Sequence, residues 1–158
     1  MKVFMKLFTG MFLVFILTGC IGEDYDVGVP TAHLHVESFT PSVQLTEANI
    51  NWGASSEDVH QTIEDIQKFG LSQDEIKIFA NEQATVEFEE NEENGGDIWT
   101  DPETQILVAL LKDKQRTKLE INDFSEFRFP TNKGRYVLVV EFISEKGSAQ
   151  YVGNVLIQ

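Results

Sequence analysis

The last third of the chain, FRFPTNKGRYVLVVEFISEKGSAQYVGNVLIQ, leaves it little choice of fold class. Tyr136, Leu138, Val140 and Phe142 fall on every second position, with Val137, Val139, Glu141 and Ile143 between them. Successive side chains of a strand point to opposite faces, so this spacing predicts one long strand over 135–143. A second runs over 149–157, and Glu145-Lys146-Gly147-Ser148 between them has the composition of a hairpin turn. Tyr136 and Tyr151 are then expected as cross-strand partners.

The rest of the chain has mostly the same period. In TAHLHVESF, Ala32, Leu34 and Val36 alternate with His33, His35 and Glu37, a half-buried strand. SVQLTEANINW alternates less cleanly, with Val43 and Leu45 followed by Ile50 and Trp52 after a bulge. ATVEFEE places Val86 and Phe88 inward, TQILVALL is a dense apolar strand ending at the charged turn KDKQR, and TKLEIN adds Leu119 and Ile121. One segment changes period. In SSEDVHQTIEDIQKFG, Val59, Ile63, Ile66 and Phe69 fall near helical spacing, with Ser55 or Ser56 as a cap and Gly70 as a stop. The spacing predicts an amphipathic helix over 57–69. In LSQDEIKIFA, Ile76 and Ile78 alternate, while Ile76, Phe79 and Ala80 also suit a helical turn; strand is the favoured reading. Seven or eight short strands with one helix point to two packed sheets rather than βαβ units.

The chain opens MKVFMKLFTGMFLVFILTGC. Lys2 and Lys6 precede an apolar run from Leu7 to Leu17, a basic segment and short hydrophobic core of the kind found in secretory signals. Eleven residues are too few for a helix across about 30 Å of hydrocarbon, which takes roughly 20. The run ends in Leu17-Thr18-Gly19-Cys20, which holds the only cysteine and resembles the lipobox of bacterial lipoproteins. The resemblance implies cleavage before Cys20 and a diacylglyceryl group on its sulfur. Several acyl chains, at about 0.8 kcal/mol per buried CH₂, hold a domain at a bilayer where one chain is marginal. The expected division is a signal peptide over 1–19, a lipidated cysteine and acidic tether over 20–30, and a single domain over 31–158.

Charge bounds the partners. The 158 residues carry a net charge of −14, and loss of Lys2 and Lys6 with the signal leaves 10 basic residues against 26 acidic ones. No basic run is interleaved with aromatics, so nucleic acid is not an expected partner. Anionic lipid repels such a domain, so the membrane is an expected partner only through the acyl anchor. With its one cysteine lipidated the chain has no disulfide, and a domain of this size can build its core without one.

The turn Pro130-Thr131-Asn132-Lys133-Gly134, the run Arg135-Tyr136-Val137-Leu138-Val139 and the return through Tyr151 resemble the last two strands of immunoglobulin-like domains. They are similar to the same region of small lipoproteins of Bacillus-like bacteria. The resemblance covers roughly residues 126–158 plus the lipobox. It implies a sandwich and a surface location, and no activity. The resulting expectation is a mainly β, immunoglobulin-like two-sheet sandwich with one inserted amphipathic helix.

Candidate sites are few. Glu87, Glu89, Glu90, Glu92, Glu93, Asp97 and Asp101 crowd a glycine-bearing stretch, and hard cations such as calcium take six to eight oxygens from flexible loops. The D-x-[DN]-x-[DN]-G spacing is absent, so Asp97 and Asp101 compete with a solvated acidic loop that serves solubility. His33 and His35 share one side of a strand and can hold a transition metal if His60 or a carboxylate completes the set. Trp52, Trp99, Tyr136 and Tyr151 anchor cores as readily as binding surfaces, and Trp99, beside the acidic stretch, is the one expected to be partly exposed. No G-x-S-x-G, H-E-x-x-H or phosphate-binding glycine loop occurs, so no enzyme and no cofactor is expected. The sequence reads as a membrane-anchored extracytoplasmic module that binds a protein or envelope component, with calcium or transition-metal binding as the alternative.

Overall fold

The structure is a computed structural model, and it describes residues 28–38, 41–53, 58–89 and 104–158. Cys20, Asp97, Trp99 and Asp101, with the signal segment and most of the tether, lie outside the described residues, as do Ser55, Ser56 and Glu57. Eleven strands and one helix are seen among the described residues: β1 (Thr31–Val36), β2 (Val43–Gln44), β3 (Thr46–Gly53), β4 (Asp58–Gln61), α1 (Ile66–Leu71), β5 (Glu75–Ile78), β6 (Gln83–Glu89), β7 (Gln105–Lys112), β8 (Gln115–Leu119), β9 (Glu126–Arg128), β10 (Gly134–Ser144) and β11 (Gly147–Ile157). They form a two-sheet sandwich with a single inserted helix, consistent with an immunoglobulin-like domain. One sheet has the order β2-β1-β6-β9; the other runs β4-β3-β11-β10-β7-β8, with β5 added in parallel to β11.

The alternating runs become strands because each gives one apolar row to a shared core. Ala32, Leu34 and Val36 of β1 and Ala84 and Val86 of β6 face Leu138, Val140 and Phe142 of β10 and Tyr151, Val155 and Ile157 of β11. Trp52 and Phe142 sit 6.1 Å apart between ring centroids, and Phe88 packs 5.0 Å from Phe142 and 5.9 Å from Tyr151. The chain passes between sheets at Leu45. Val43 pairs with Leu34 of β1, the Leu45 N–H donates to Ala32 O at 2.8 Å, and Thr46 then pairs with Val152 of β11. The expected bulge lies opposite Ala149–Tyr151, where the β3–β11 register shifts.

One edge of β11 serves two partners, β3 along Gly147–Val152 and β5 along Asn154–Ile157. Gly153 falls at the junction. A Cβ there would come within 2.9 Å of Leu45 Cδ2 and 3.2 Å of Ile76 Cδ1, so glycine leaves room for two core side chains to meet. Ile76 and Ile78 are buried, and the favoured strand reading of that segment holds.

Three expectations are corrected. The helix predicted over 57–69 is confined to Ile66–Leu71, and Asp58–Gln61 forms β4 along β3. Those residues complete the backbone hydrogen bonding of β3, which a helix cannot do, and Val59 is 44% exposed rather than part of an apolar stripe. Gln61 Nε2 donates to Ala48 O at 2.6 Å and the Ile63 N–H to Asn49 Oδ1 at 2.6 Å, fastening the chain before α1 starts. Asp65 caps the helix by accepting from the Lys68 N–H at 2.9 Å. Second, the final hairpin turns on Glu145-Lys146 alone, since Ser144 pairs with Gly147. Gly147 sits at φ 142°, and a Cβ there would lie 2.1 Å from Asn51 O, so only glycine lets β3 pass this closely. Third, Tyr136 lies opposite Val155 and Tyr151 opposite Val140, so the tyrosines are not cross-strand partners.

The outward face of the larger sheet has its own apolar patch. Ala48, Val137, Val139 and Val152 are covered by Ile63, Ile66 and Phe69, with Leu111 alongside. The helical spacing seen in the sequence is therefore real for Ile63, Ile66 and Phe69, and it serves to roof this sheet.

Candidate functional site

Two faces of the sandwich gather chemistry-bearing side chains. The first is the outer face of the smaller sheet. His33 and His35 project from β1, and Glu87 and Glu89 from β6 beside it. His35 Nε2 lies 2.9 Å from Glu87 Oε2, and His33 Nε2 lies 3.6 Å from Glu89 Oε2 and 3.4 Å from Thr31 Oγ1. His33 is the more enclosed, 17% exposed against 43% for His35. Strand register makes His33 the direct opposite of Glu87, so one carboxylate neighbours both rings. His60 stands apart on β4 at an edge of the other sheet. Among the described residues no three His, Cys, Asp or Glu side chains converge on one point as a ready metal cage.

The second is the β7–β8 hairpin. Lys112, Lys114, Arg116 and Lys118 occupy four of its seven positions from 112 to 118, in a chain of net charge −14. Asp113 and Lys114 form its two-residue turn with φ of 49° and 64°, the left-handed pair that suits the twist of a hairpin. The Lys114 N–H donates to Gln67 Oε1 at 2.7 Å, which ties the turn to α1. Lys112 Nζ sits 5.0 Å from the centre of the Tyr136 ring. Arg116 Nη1 donates to Glu141 Oε1 at 3.0 Å, and Gln150 Nε2 donates to the same oxygen at 2.9 Å. Burial works to raise the pKa of Glu141, but those two hydrogen bonds and the Arg116 charge outweigh it and hold the carboxyl below its usual value. Lys114 and Lys118 have no carboxylate among the described residues within ion-pair distance.

The aromatic candidates separate by burial. Trp52 and Tyr151 are sealed in the core and can bind nothing from outside. The Tyr151 hydroxyl donates to Pro30 O, which pins the start of the domain to its central strand pair. Burial first, and the charge of Glu47 second, push the Tyr151 hydroxyl far above its usual ionisation range. Tyr136 is half-buried and donates from its hydroxyl to Asn132 O at 3.1 Å. It lines a groove of about 190 Å³ with Leu110, Lys112, Thr117, Pro130 and Asn132.

Reading the sequence for aromatic-interleaved basic runs missed the hairpin, because Tyr136 reaches Lys112 across 24 positions of chain. The available signal was local: KDKQRTK holds four of the ten basic residues that follow Cys20. Among the described residues no helix is long and apolar enough to cross a membrane. No family model matches the chain, and neither a curated protein nor a solved structure matches it.

Proposed function

We propose that the chain is a membrane-anchored extracytoplasmic lipoprotein whose sandwich serves as a binding or accessory module for a protein or envelope component. The observation that carries this reading is LTGC at the end of the short apolar run, with Cys20 as the lipidated residue. The fold supports it in one respect. Pro30, the last residue of the expected tether, is held by Tyr151, and β1 after it is flanked by β2 and β6. A pull on the anchor is thus borne by a central strand rather than a loose edge. Fully extended, the chain from Cys20 to Thr31 reaches at most about 40 Å, so the acyl chains keep the module's binding faces near the bilayer and raise their local concentration there.

Alkyne-palmitate labelling in growing bacteria tests the reading. The wild-type chain is expected to take up label and fractionate with membranes, and Cys20→Ala to lose both properties. An unlabelled wild-type chain, or a labelled Cys20→Ala variant, would end the lipoprotein reading.

The contact of Glu87 with His35, together with its place opposite His33 on the same face, is the observation that favours a second reading, transition-metal binding on the outer sheet face. Zinc would displace the two His–Glu contacts and take both imidazoles with Glu87. Thermal unfolding in EDTA and then with micromolar zinc decides it: a saturable rise absent from His33→Ala supports the site, and a flat response removes it. The calcium alternative at Asp97 and Asp101 stands on sequence alone, and loss of a calcium-dependent rise in the Asn variants is its test.

A further inference from the structure

We infer that the free edge of β8 is a docking strand for an extended acidic segment of a partner protein, bound by strand addition. The inference rests on the binding-module reading above and names the surface and the partner's chemistry. β8 ends its sheet, and no described strand pairs with its second edge. Gln115 to Lys118 are all exposed.

The hairpin decides which backbone groups face that edge. Lys112 and Gln115 close a two-residue turn, and such a closing pair exchanges both of its hydrogen bonds. The pattern alternates from there, so Thr117, opposite Leu110, also bonds inward to β7. The N–H and C=O groups of Arg116 and Lys118 therefore point away from the sheet. Two such residues, spaced by two, are what an incoming strand pairs with.

Side chains supply the selectivity. Arg116 and Lys118 lie on the face shared with Glu141, where a docked strand would set every second residue beside a cation. Thr117 and Gln115 turn to the other face, over the groove of Leu110, Tyr136 and Pro130. The matching segment alternates Glu or Asp with small or apolar residues. Lysines on an edge strand also discourage pairing of like with like, since a second copy of β8 would bring cations against cations. That repulsion leaves an acidic strand as the favoured occupant and disfavours the chain itself.

Amide hydrogen exchange read by mass spectrometry on the full chain in detergent micelles tests this. The probe is an acetylated peptide of about nine residues alternating Glu with Val and Thr. It is compared with a peptide of the same composition whose glutamates are contiguous, with an alternating Lys peptide, and with anionic vesicles alone. The alternating Glu peptide is expected to protect the segment spanning Gln115–Leu119. Lys114→Glu/Lys118→Glu should weaken it at least ~10-fold and transfer binding to the Lys peptide, since charge pairing sets specificity across such an interface. Lys118→Pro, which removes an outward N–H that bonds to no described strand, should weaken binding more than Lys118→Ala, which removes the charge alone. Four results would overturn the proposal: no protection at millimolar peptide, equal binding of the contiguous peptide, protection by vesicles alone, or protection that grows with protein concentration and so reports self-pairing. Each is independent of palmitate labelling, so a failed docking strand and a failed lipid anchor are told apart.

Discussion

Substituting Gly70 by alanine sets two effects of opposite sign against each other. Gly70 lies inside α1, and helix propensity alone makes Gly→Ala stabilising by up to about 1 kcal/mol. Packing argues the other way. A Cβ on Gly70 would lie 2.3 and 2.8 Å from the two methyl carbons of Val137 and 3.1 Å from its Cβ. Carbon atoms in contact settle at about 3.5–4.0 Å, so either the helix lifts by roughly an ångström or Val137 gives way. Val137 cannot give way easily. It is fully buried, stiff at χ1, and held by pairing to Leu111 on one side and Asn154 on the other. Overpacking of this kind costs about 1–3 kcal/mol, and an overlap this large belongs at the upper end, which leaves a net loss of about 2 kcal/mol. Urea unfolding followed by far-ultraviolet circular dichroism reads it as a lower midpoint with an unchanged slope. Val137→Ala alone removes two buried methyl groups and should lose about 2 kcal/mol. In the double variant the new methyl occupies the space just vacated, so the losses should fall short of additive by about 1 kcal/mol or more. A Gly70→Ala chain as stable as wild type, or strictly additive losses, would refute the packing argument. The helix also holds the β7–β8 turn through Gln67, so Gly70→Ala should raise amide exchange at Lys114.

Tyr151→Phe removes the hydroxyl that donates to Pro30 O and should cost about 1 kcal/mol at neutral pH. Because folding raises the pKa of Tyr151, the native state keeps a proton that the unfolded chain loses above its usual value of 10.0, so wild-type stability falls as pH rises through that point, by up to about 1.4 kcal/mol per unit. The advantage of wild type over Tyr151→Phe, about 1 kcal/mol at pH 9, should vanish before about pH 11 and be reversed by about pH 11.5 in chemical denaturation; parallel curves would contradict it. Glu141 behaves in the opposite sense. Its lowered pKa stabilises the fold above the usual 4.5 and that stability is lost as pH falls through the folded value, so Arg116→Ala should flatten the acid limb by roughly 0.5 kcal/mol for this half-exposed pair. Gly147→Ala places a Cβ against the Asn51 carbonyl at a φ of 142°, and neither backbone can retreat; a loss of more than about 3 kcal/mol or no soluble protein is expected, and near-wild-type melting would refute it.

Much of the fold was legible because a half-buried strand writes its burial into the sequence at every second residue. β1, β6, β10 and β11 bury the residues that their alternation nominates. The helix expected over 57–69 differs from the structure at Asp58–Gln61 because Val59 happens to fall in phase with Ile63, Ile66 and Phe69, and spacing alone cannot say that Val59 faces solvent at a sheet edge. Gly70 looked like a helix stop, yet it sits inside the helix where Val137 leaves no room for a side chain. The candidate sites were less legible. His33 and His35 were placed on one face correctly, but their partners Glu87 and Glu89 lie more than fifty positions away in the chain.

What the sequence determined by itself is local in origin: strand periodicity, the charged turn within KDKQR, the charge balance, and the apolar run ending in LTGC. Each depends on neighbours within a few positions, where bond geometry and side-chain direction are the same in any fold. Only the tertiary structure decided which strands share an edge. It laid Asp58–Gln61 along β3, divided one edge of β11 between β3 and β5, and paired β8 with β7 on one edge while no described strand takes the other. A backbone N–H or C=O is the same group in every residue, so pairing preference leaves almost no mark on the sequence; it is settled when the two apolar faces close and the remaining edges find partners or water.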